Sequence, residues 1–366
     1  MRVNLAGIAQ LARVSTATVS RTINRVPTVD PVLARRVWRV VEQVGYYPNR
    51  QARALVCGRS RIFGLITSEI SNPFFPEMVQ TFTQLCIKHR YEILLSSIDQ
   101  DSSQLETTAR RMIEHRIDGV AVLTFGPDDP LIEFFRDRDV PVFAIGTNSP
   151  GRLLKTVNID YEHGIRQAVQ HLAAMGHVRI AFVSGPAQLK TAAMRKIAFQ
   201  DCMREIGLQP SPEIVVEGDH TIEAGMRAMS SLAALPDRPS AVLCSNDLTA
   251  IGIMRQAFDL ALDVPRDLSV VGFDDIRFAQ FMIPPLTTVQ MSQTEIAETA
   301  FAALLSCVEG EETRSSSEVG VIKTNLVLRR STMLAPHRRR EAGAGRCEPP
   351  ATEWIPEPTA FPSETA

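Results

Sequence analysis

From Ile62 onward the chain alternates short, apolar, β-branched runs with segments of helical spacing, and this alternation limits the fold more than any other feature. Strand-like runs fall at Ile62–Thr67, Tyr91–Ser97, Gly119–Phe125, Val142–Ile145, Arg179–Val183, Ile214–Val216, Ala241–Cys244, Ser269–Gly272 and Thr287–Gln290, with a last one near Asn325–Leu328. Helical patterns lie between them, such as Pro73–His89 behind Asn72 and Tyr161–Met175 behind Asp160. Strands separated by helices imply parallel pairing, because the chain must cross a sheet face to begin each new strand in the same direction. So many strands exceed one tidy sheet. Two doubly wound subdomains facing a cleft are expected, with ligands beyond the carboxyl ends of the strands.

The first 61 residues have a different character. They hold eleven arginines and only two acids, Asp30 and Glu42, a net charge of +9, which leaves −11 for the rest of the 366-residue chain. A small cationic module joined to an anionic body points to a polyanion partner, since neutralising phosphates releases counterions. Charge alone also fits a merely solvated basic face. Apolar spacing predicts three short helices here. The first runs from about Leu5 to Ala12 behind Asn4, with Leu5, Ile8, Ala9 and Ala12 on one face. The second follows Ser15 and turns Val19 and Ile23 inward, ending before Pro27. The third is capped by Asp30, opens on Pro31, carries Val37, Val40, Val41 and Val44, and stops at Gly45. A turn as short as Arg13-Val14 makes the first two helices cross steeply. That is helix-turn-helix geometry, which presents its second helix to the major groove.

Other classes are excluded on simple grounds. No apolar run reaches the about 18 residues of a membrane span, and Met1-Arg2-Val3-Asn4 begins no secretory signal. The six cysteines, including Cys57, are scattered without a C-x-x-C pair, so a cytoplasmic, reduced protein without metal or cofactor is expected. The dinucleotide, P-loop, nucleophile-elbow and zincin motifs are absent, which sets an enzyme or sensor built on the α/β core behind a regulator as the alternative. Asp274 and Asp275, if both were in a strand, would face opposite ways rather than form a catalytic pair. His177 beside Gly176 reads as part of a helix-ending turn.

Two ordered motifs then carry a resemblance. Ala9-x-x-Ala12-x-Val14-Ser15-x-x-Thr18-Val19-Ser20-Arg21 and Gly45-Tyr46-x-Pro48-Asn49-x-x-Ala52-Arg53-x-Leu55 resemble the headpiece and hinge of the lac repressor/galactose repressor family of bacterial transcription regulators. Asn72-Pro73-Phe74-Phe75, Ser245-Asn246-Asp247, Gly272-Phe273-Asp274-Asp275 and Leu328-Arg329-Arg330-Ser331 extend it nearly to Ser331. The resemblance implies an all-α helix-turn-helix headpiece and an α/β core similar to periplasmic sugar-binding proteins, with two doubly wound parallel-sheet subdomains. Its divisions would be residues 1–48 for the headpiece, 49–61 for hinge and linker, 62–334 for the effector-binding core, and 335–366 for a Pro-rich disordered tail without leucine heptads, favouring a homodimer over a tetramer.

On this resemblance Thr16, Ala17 and Arg21 read bases, with Arg21 suited to guanine, while Thr18, Ser20 and Asn24 touch phosphates and Ser15 chiefly caps. Asn49, Ala52 and Arg53 lie in a hinge too short to be a stable helix alone, and Leu55 is its minor-groove wedge. The partner is double-stranded, near-palindromic operator DNA. The implied effector pocket places Phe74 and Phe75 as apolar platforms, although Phe75 reads equally well as core, and Arg195, His220, Asn246 and Asp274 around a small polar, carbohydrate-derived effector. Three departures stand out: Arg13 where the family usually has Gly, Gly146-Thr147 where Asp then Arg commonly face a sugar, and His220 where an aromatic wall is usual. An effector other than a simple hexose is expected.

Overall fold

The computed structural model describes residues 4–24, 26–46, 58–98, 103–124, 129–146, 153–310 and 318–336. The expected hinge residues Asn49, Ala52, Arg53 and Leu55, with Cys57, Thr147 and the tail beyond 336, lie outside the described residues.

The headpiece forms α1 (Leu5–Ala12), α2 (Thr16–Ile23) and α3 (Pro31–Gln43). Each begins where a short polar side chain supplies the missing acceptor. Asn4 accepts from Gly7 N, Ser15 from Thr18 N, and Asp30 from Val32 N and Leu33 N. Ile8, Ala9, Ala12, Val19, Ile23, Val37, Val40 and Val41 form the core, with Leu5 and Val44 half-buried at its rim. The turn after α1 puts Arg13 at φ 52° and ψ 49°, the left-handed conformation in which a Cβ is strained. Arg13→Gly is therefore expected to stabilise the headpiece by about 1 kcal/mol, net of the entropy glycine adds to the unfolded chain. Equilibrium denaturation followed by Trp38 fluorescence in a Trp354→Phe background measures it; a destabilised variant would mean that the Arg36 Nη2 bond to the Arg13 carbonyl (3.1 Å) requires the arginine backbone geometry.

The body holds two six-stranded sheets. The first is ordered β2-β1-β3-β4-β5-β11, all parallel, from β1 (Ile62–Thr67), β2 (Glu92–Ser97), β3 (Gly119–Leu123), β4 (Val142–Ile145), β5 (Leu154–Asp160) and β11 (Glu318–Lys323). The second is ordered β7-β6-β8-β9-β10-β12, from β6 (Ile180–Ser184), β7 (Val215–Glu217), β8 (Ala241–Cys244), β9 (Ser269–Asp274), β10 (Thr287–Gln290) and the antiparallel edge β12 (Asn325–Val327). Buried runs such as Gly119–Leu123 and Ile180–Ser184 are covered on both faces, as parallel strands require. The helices are α4 (Phe74–Lys88), α5 (Ser103–Glu114), α6 (Asp129–Arg136), α7 (Tyr161–Ala174), α8 (Lys190–Glu205), α9 (Ile222–Ala233), α10 (Asp247–Asp259) and α11 (Gln293–Glu309).

Two strands escaped sequence reading. β5 mixes Lys155, Thr156 and Asn158 into its apolar pattern, and β11 is exposed at every residue but Ile322, so neither presents a clear apolar run. The chain passes between subdomains three times: from β5 to α7, from β10 to α11, and from β11 to β12.

Candidate functional site

Two surfaces carry the chemistry expected from the sequence. On α2, Thr16, Ala17 and Arg21 are exposed, whereas Thr18, Ser20 and Asn24 are half-buried. The Ser15 hydroxyl is engaged at the helix start, accepting from Thr18 N at 3.0 Å and bonding Thr18 Oγ1 at 2.8 Å. Thr22 folds inward and donates to Thr18 O. The free face of α2 is thus a small, uncluttered surface ending in one long cation, a shape that fits a major groove.

The second surface lies at the carboxyl ends of the strands in the second subdomain. Arg195, buried in the second turn of α8, faces the end of β9. Its guanidinium lies 4.1 Å from the Phe273 ring centroid and 5.0 Å from that of Tyr161. Nη1 donates to Ser245 O at 2.5 Å, and Nη2 pairs with Asp274 Oδ1 at 3.7 Å. Burial pushes the Asp274 carboxyl up to about 7 against the pull of Arg195. Asp274, the last residue of β9, and Asp275 both have positive φ, 108° and 55°, so the regular alternation of a strand is lost at this end and the expected strand-face geometry does not apply. They still diverge: Asp275 binds Arg329 Nη2 (2.6 Å) and accepts from Gln290 Nε2 (3.0 Å).

His220, at φ 67°, lies against Gly185, where a Cβ would overlap its ring. Its Nε2 bonds Ser245 Oγ at 2.9 Å, and its carbonyl accepts from Asn246 Nδ2 at 2.9 Å. Burial, with the Arg195 charge second, holds its pKa down to about 3, so the ring is neutral. Asn246 is equally committed, because its Oδ1 caps α10 by accepting from Thr249 N. These two residues clip the loop after β7 onto the strand ends. Asp247, fully buried, accepts from Ile276 N (2.8 Å) and Thr288 Oγ1 (2.5 Å).

From the first subdomain, Asn72 Oδ1 accepts from Phe74 N at 3.0 Å, so α4 starts one residue later than expected. Phe74 and Phe75 are both buried and stand edge to face at 5.5 Å. Both belong to the same apolar cluster as Phe63 and Phe82. Lys190 Nζ reaches Gly146 O across the subdomains at 3.4 Å. His177 is a buried tie, bonded to Ser240 Oγ, Ser269 Oγ and Met333 O.

Sequence reasoning missed Tyr161, Ser245 and Thr67. Ser245 joins Arg195 to His220, and its place between β8 and the Asn246 cap was the available signal. Arg195 Nε, Thr67 Oγ1 and Thr249 Oγ1 are buried without a hydrogen-bond partner among the described residues, and the neighbour of the buried Tyr161 hydroxyl is the Arg195 guanidinium. Thr67 ends β1, Tyr161 follows β5, and Arg195 faces the end of β9, so all three lie at carboxyl ends of strands or beside them. Buried polar groups left over at strand ends fit a polar ligand. No three His, Cys, Asp or Glu side chains among the described residues group as a metal site.

Residues 4–49 match the bacterial regulatory proteins of the lacI family, and residues 169–332 match a periplasmic binding protein-like domain. The HTH-type transcriptional repressor CytR of Escherichia coli (strain K12) is 34% identical over 331 residues, 90% of this chain and 96% of the relative. Catabolite control protein A of Priestia megaterium is 31% identical over 317 residues, covering 86% and 96%. Among solved structures, the lac repressor dimer bound to operator and the anti-inducer ONPF superposes with a TM-score of 0.82 at 26% identity, covering 91% of this chain and 100% of that one. A complex of the transcriptional regulator CelR with cellobiose gives 0.68 at 29% identity, covering 90% and 100%. With its capped three-helix headpiece and two-sheet core, the chain belongs to the LacI family of bacterial regulatory proteins and is a DNA-binding transcription regulator, not an enzyme.

Proposed function

We propose that the chain represses transcription as a homodimer on a near-palindromic operator, under control of a small polar effector, a sugar or sugar derivative, in the cleft of its core. The observation that carries the reading is the pairing of the cationic headpiece, whose α2 exposes Thr16, Ala17 and Arg21, with a core that buries an Arg195–Asp274 pair beside unpartnered polar atoms. The related lac repressor structure is a dimer on operator, and here Phe278, Phe281 and Ile283 stay exposed within six residues of the second subdomain, an apolar surface suited to a second copy. Residues 1–48 would read DNA, 49–61 would form the hinge with Asn49, Ala52, Arg53 and the Leu55 wedge, 62–334 would bind effector, and 335–366 would be the tail. No helix among the described residues is long and apolar enough to cross a membrane, which accords with a cytoplasmic regulator.

In the cleft, Arg195 and Asp274 would meet the effector directly. His220 and Asn246 would shape the wall, and Phe74 and Phe75 would contribute from the first subdomain. Selecting duplexes from a random pool, then measuring anisotropy at physiological salt, tests the DNA reading. The selected site should bind far tighter than random DNA, with a steep salt dependence. Arg21→Ala should cost about 1–3 kcal/mol and relax preference at one base pair per half-site. Equal affinity of the wild-type chain for selected and random duplexes overturns the reading.

A further inference from the structure

Two of the three connections between subdomains meet at one hydroxyl, beside the strand that leads into the other. In α1, α2, α3, α9 and α10 the carbonyl of the capping residue accepts directly from the N–H four residues on, as for Asn4 with Ile8 and Asn246 with Ala250. In α7 the corresponding pair is Asp160 O and Gly164 N, and a side chain stands between them. Gly164 N donates to Thr324 Oγ1 at 3.0 Å, and Thr324 Oγ1 donates to Asp160 O at 2.7 Å. Thr324 is fully buried and is the single residue between β11 and β12, in the third connection. Asp160 and Gly164 flank the first connection. The strand β10, which leads into the second, contributes Val289, whose Cγ1 occupies the space a Cβ on Gly164 would need. Leu326 N adds a further stitch to Gln167 Oε1 of α7 at 2.7 Å.

The same helical turn begins with Tyr161, whose buried ring and hydroxyl lie beside the Arg195 guanidinium. One turn of α7 therefore touches both the candidate effector site and the point where the connections join. A hydroxyl inserted into a helical ladder has two discrete arrangements: bridging, as here, or withdrawn, with Gly164 N bonded directly to Asp160 O.

We propose that Thr324 is a positioning residue for the regulator's response: its hydroxyl pins the first turn of α7, and with it Tyr161, and bridging against withdrawal selects between two orientations of the subdomains. This rests on the reading of the chain as an operator-binding dimer with its effector in the cleft. Each hydroxyl contact spans elements that belong to different connections, so withdrawal frees the connections to turn relative to one another. Effector at Tyr161 and Arg195 would then bias the same turn from its other side.

The test uses the full-length chain and a duplex selected from a random pool, with Thr324→Val, which keeps the shape without the hydroxyl, and Thr324→Ser, which keeps the hydroxyl. Thr324→Val should weaken operator binding by about 5-fold or more, the low end of typical coupling between sites. It should also speed amide exchange in the peptide covering residues 161–166, with the peptides of α10 unchanged. Thr324→Ser should restore both. Wild-type affinity and exchange in Thr324→Val overturn the proposal, and so does failure of the serine variant to rescue, since the methyl and its packing would then be what matters. If the wild-type chain itself does not distinguish the selected duplex, the underlying DNA reading fails instead, whereas the exchange comparison still judges the pin.

Discussion

Replacing Arg195 by Met should destabilise the body by about 3–5 kcal/mol at pH 8 and by markedly less at pH 5.5. The asymmetry follows from Asp274, whose carboxyl burial raises to about 7 even with the guanidinium nearby. An unfolded aspartate titrates near 4. Between about pH 4 and 7 the unfolded chain has released this proton while the folded chain keeps it, so stability falls as pH rises through that interval. Without Arg195 the folded value moves higher still, and the loss continues above 7. At pH 5.5 the carboxyl is largely neutral with or without its partner, and the deficit reflects mainly the lost bond to Ser245 O and the lost contacts with Phe273 and Tyr161. Urea denaturation of both proteins at the two pH values measures the difference. Equal deficits would show that the Asp274 carboxyl does not depend on the Arg195 charge.

Gly164→Ala should cost about 1–3 kcal/mol, although alanine elsewhere in a helix is worth about 0.5–1 kcal/mol over glycine. The sign reverses because the new methyl would overlap Val289 Cγ1 and Thr324 Oγ1, the first held in β10 by a strand on either side and the second buried between β11 and β12, so neither can retreat freely. Overpacking therefore exceeds the gain in helix propensity. Adding Val289→Ala should recover part of the loss, since the second methyl removed makes room for the first. A single variant as stable as wild type, by calorimetry, would mean that the connections are looser than their packing implies.

The headpiece was legible almost residue by residue because short helices announce their ends. Asn4, Ser15, Asp30 and Pro31 stand where caps and first turns require them, and the structure uses each that way. The alternating body was legible as parallel sheets, but the membership of β5 and β11 was not. β11 finds its partner about 160 residues back, as in Val321 with Asn158, and β5, which also pairs with β4, is masked by the polar residues in its run. At the cleft, the sequence shows which polar residues stand at strand ends but not which of them are bonded to one another. His220 and Asn246 look like ligand groups in the sequence, yet in the structure they hold each other and Ser245. Tyr161 was invisible as a polar site because its hydroxyl gains a polar neighbour only once the fold places Arg195 beside it.

The threading of the connections also constrains how the protein is made. The edge strand of the first sheet comes from residues 318–323 and that of the second from 325–327, while Ser331 Oγ donates to Val270 O and accepts from Thr287 N. A ribosome that has released residues up to Glu309 has therefore delivered two sheets that each lack an edge, with α11 in place to cover the first. Neither half is a contiguous stretch of chain, so neither can finish folding during synthesis before the other. The headpiece, complete within its first 46 residues, is free to fold early. A growing chain would thus hold a folded DNA-reading module long before its regulatory body closes, and premature termination shortly before β11 would release that module without a completed body to govern it.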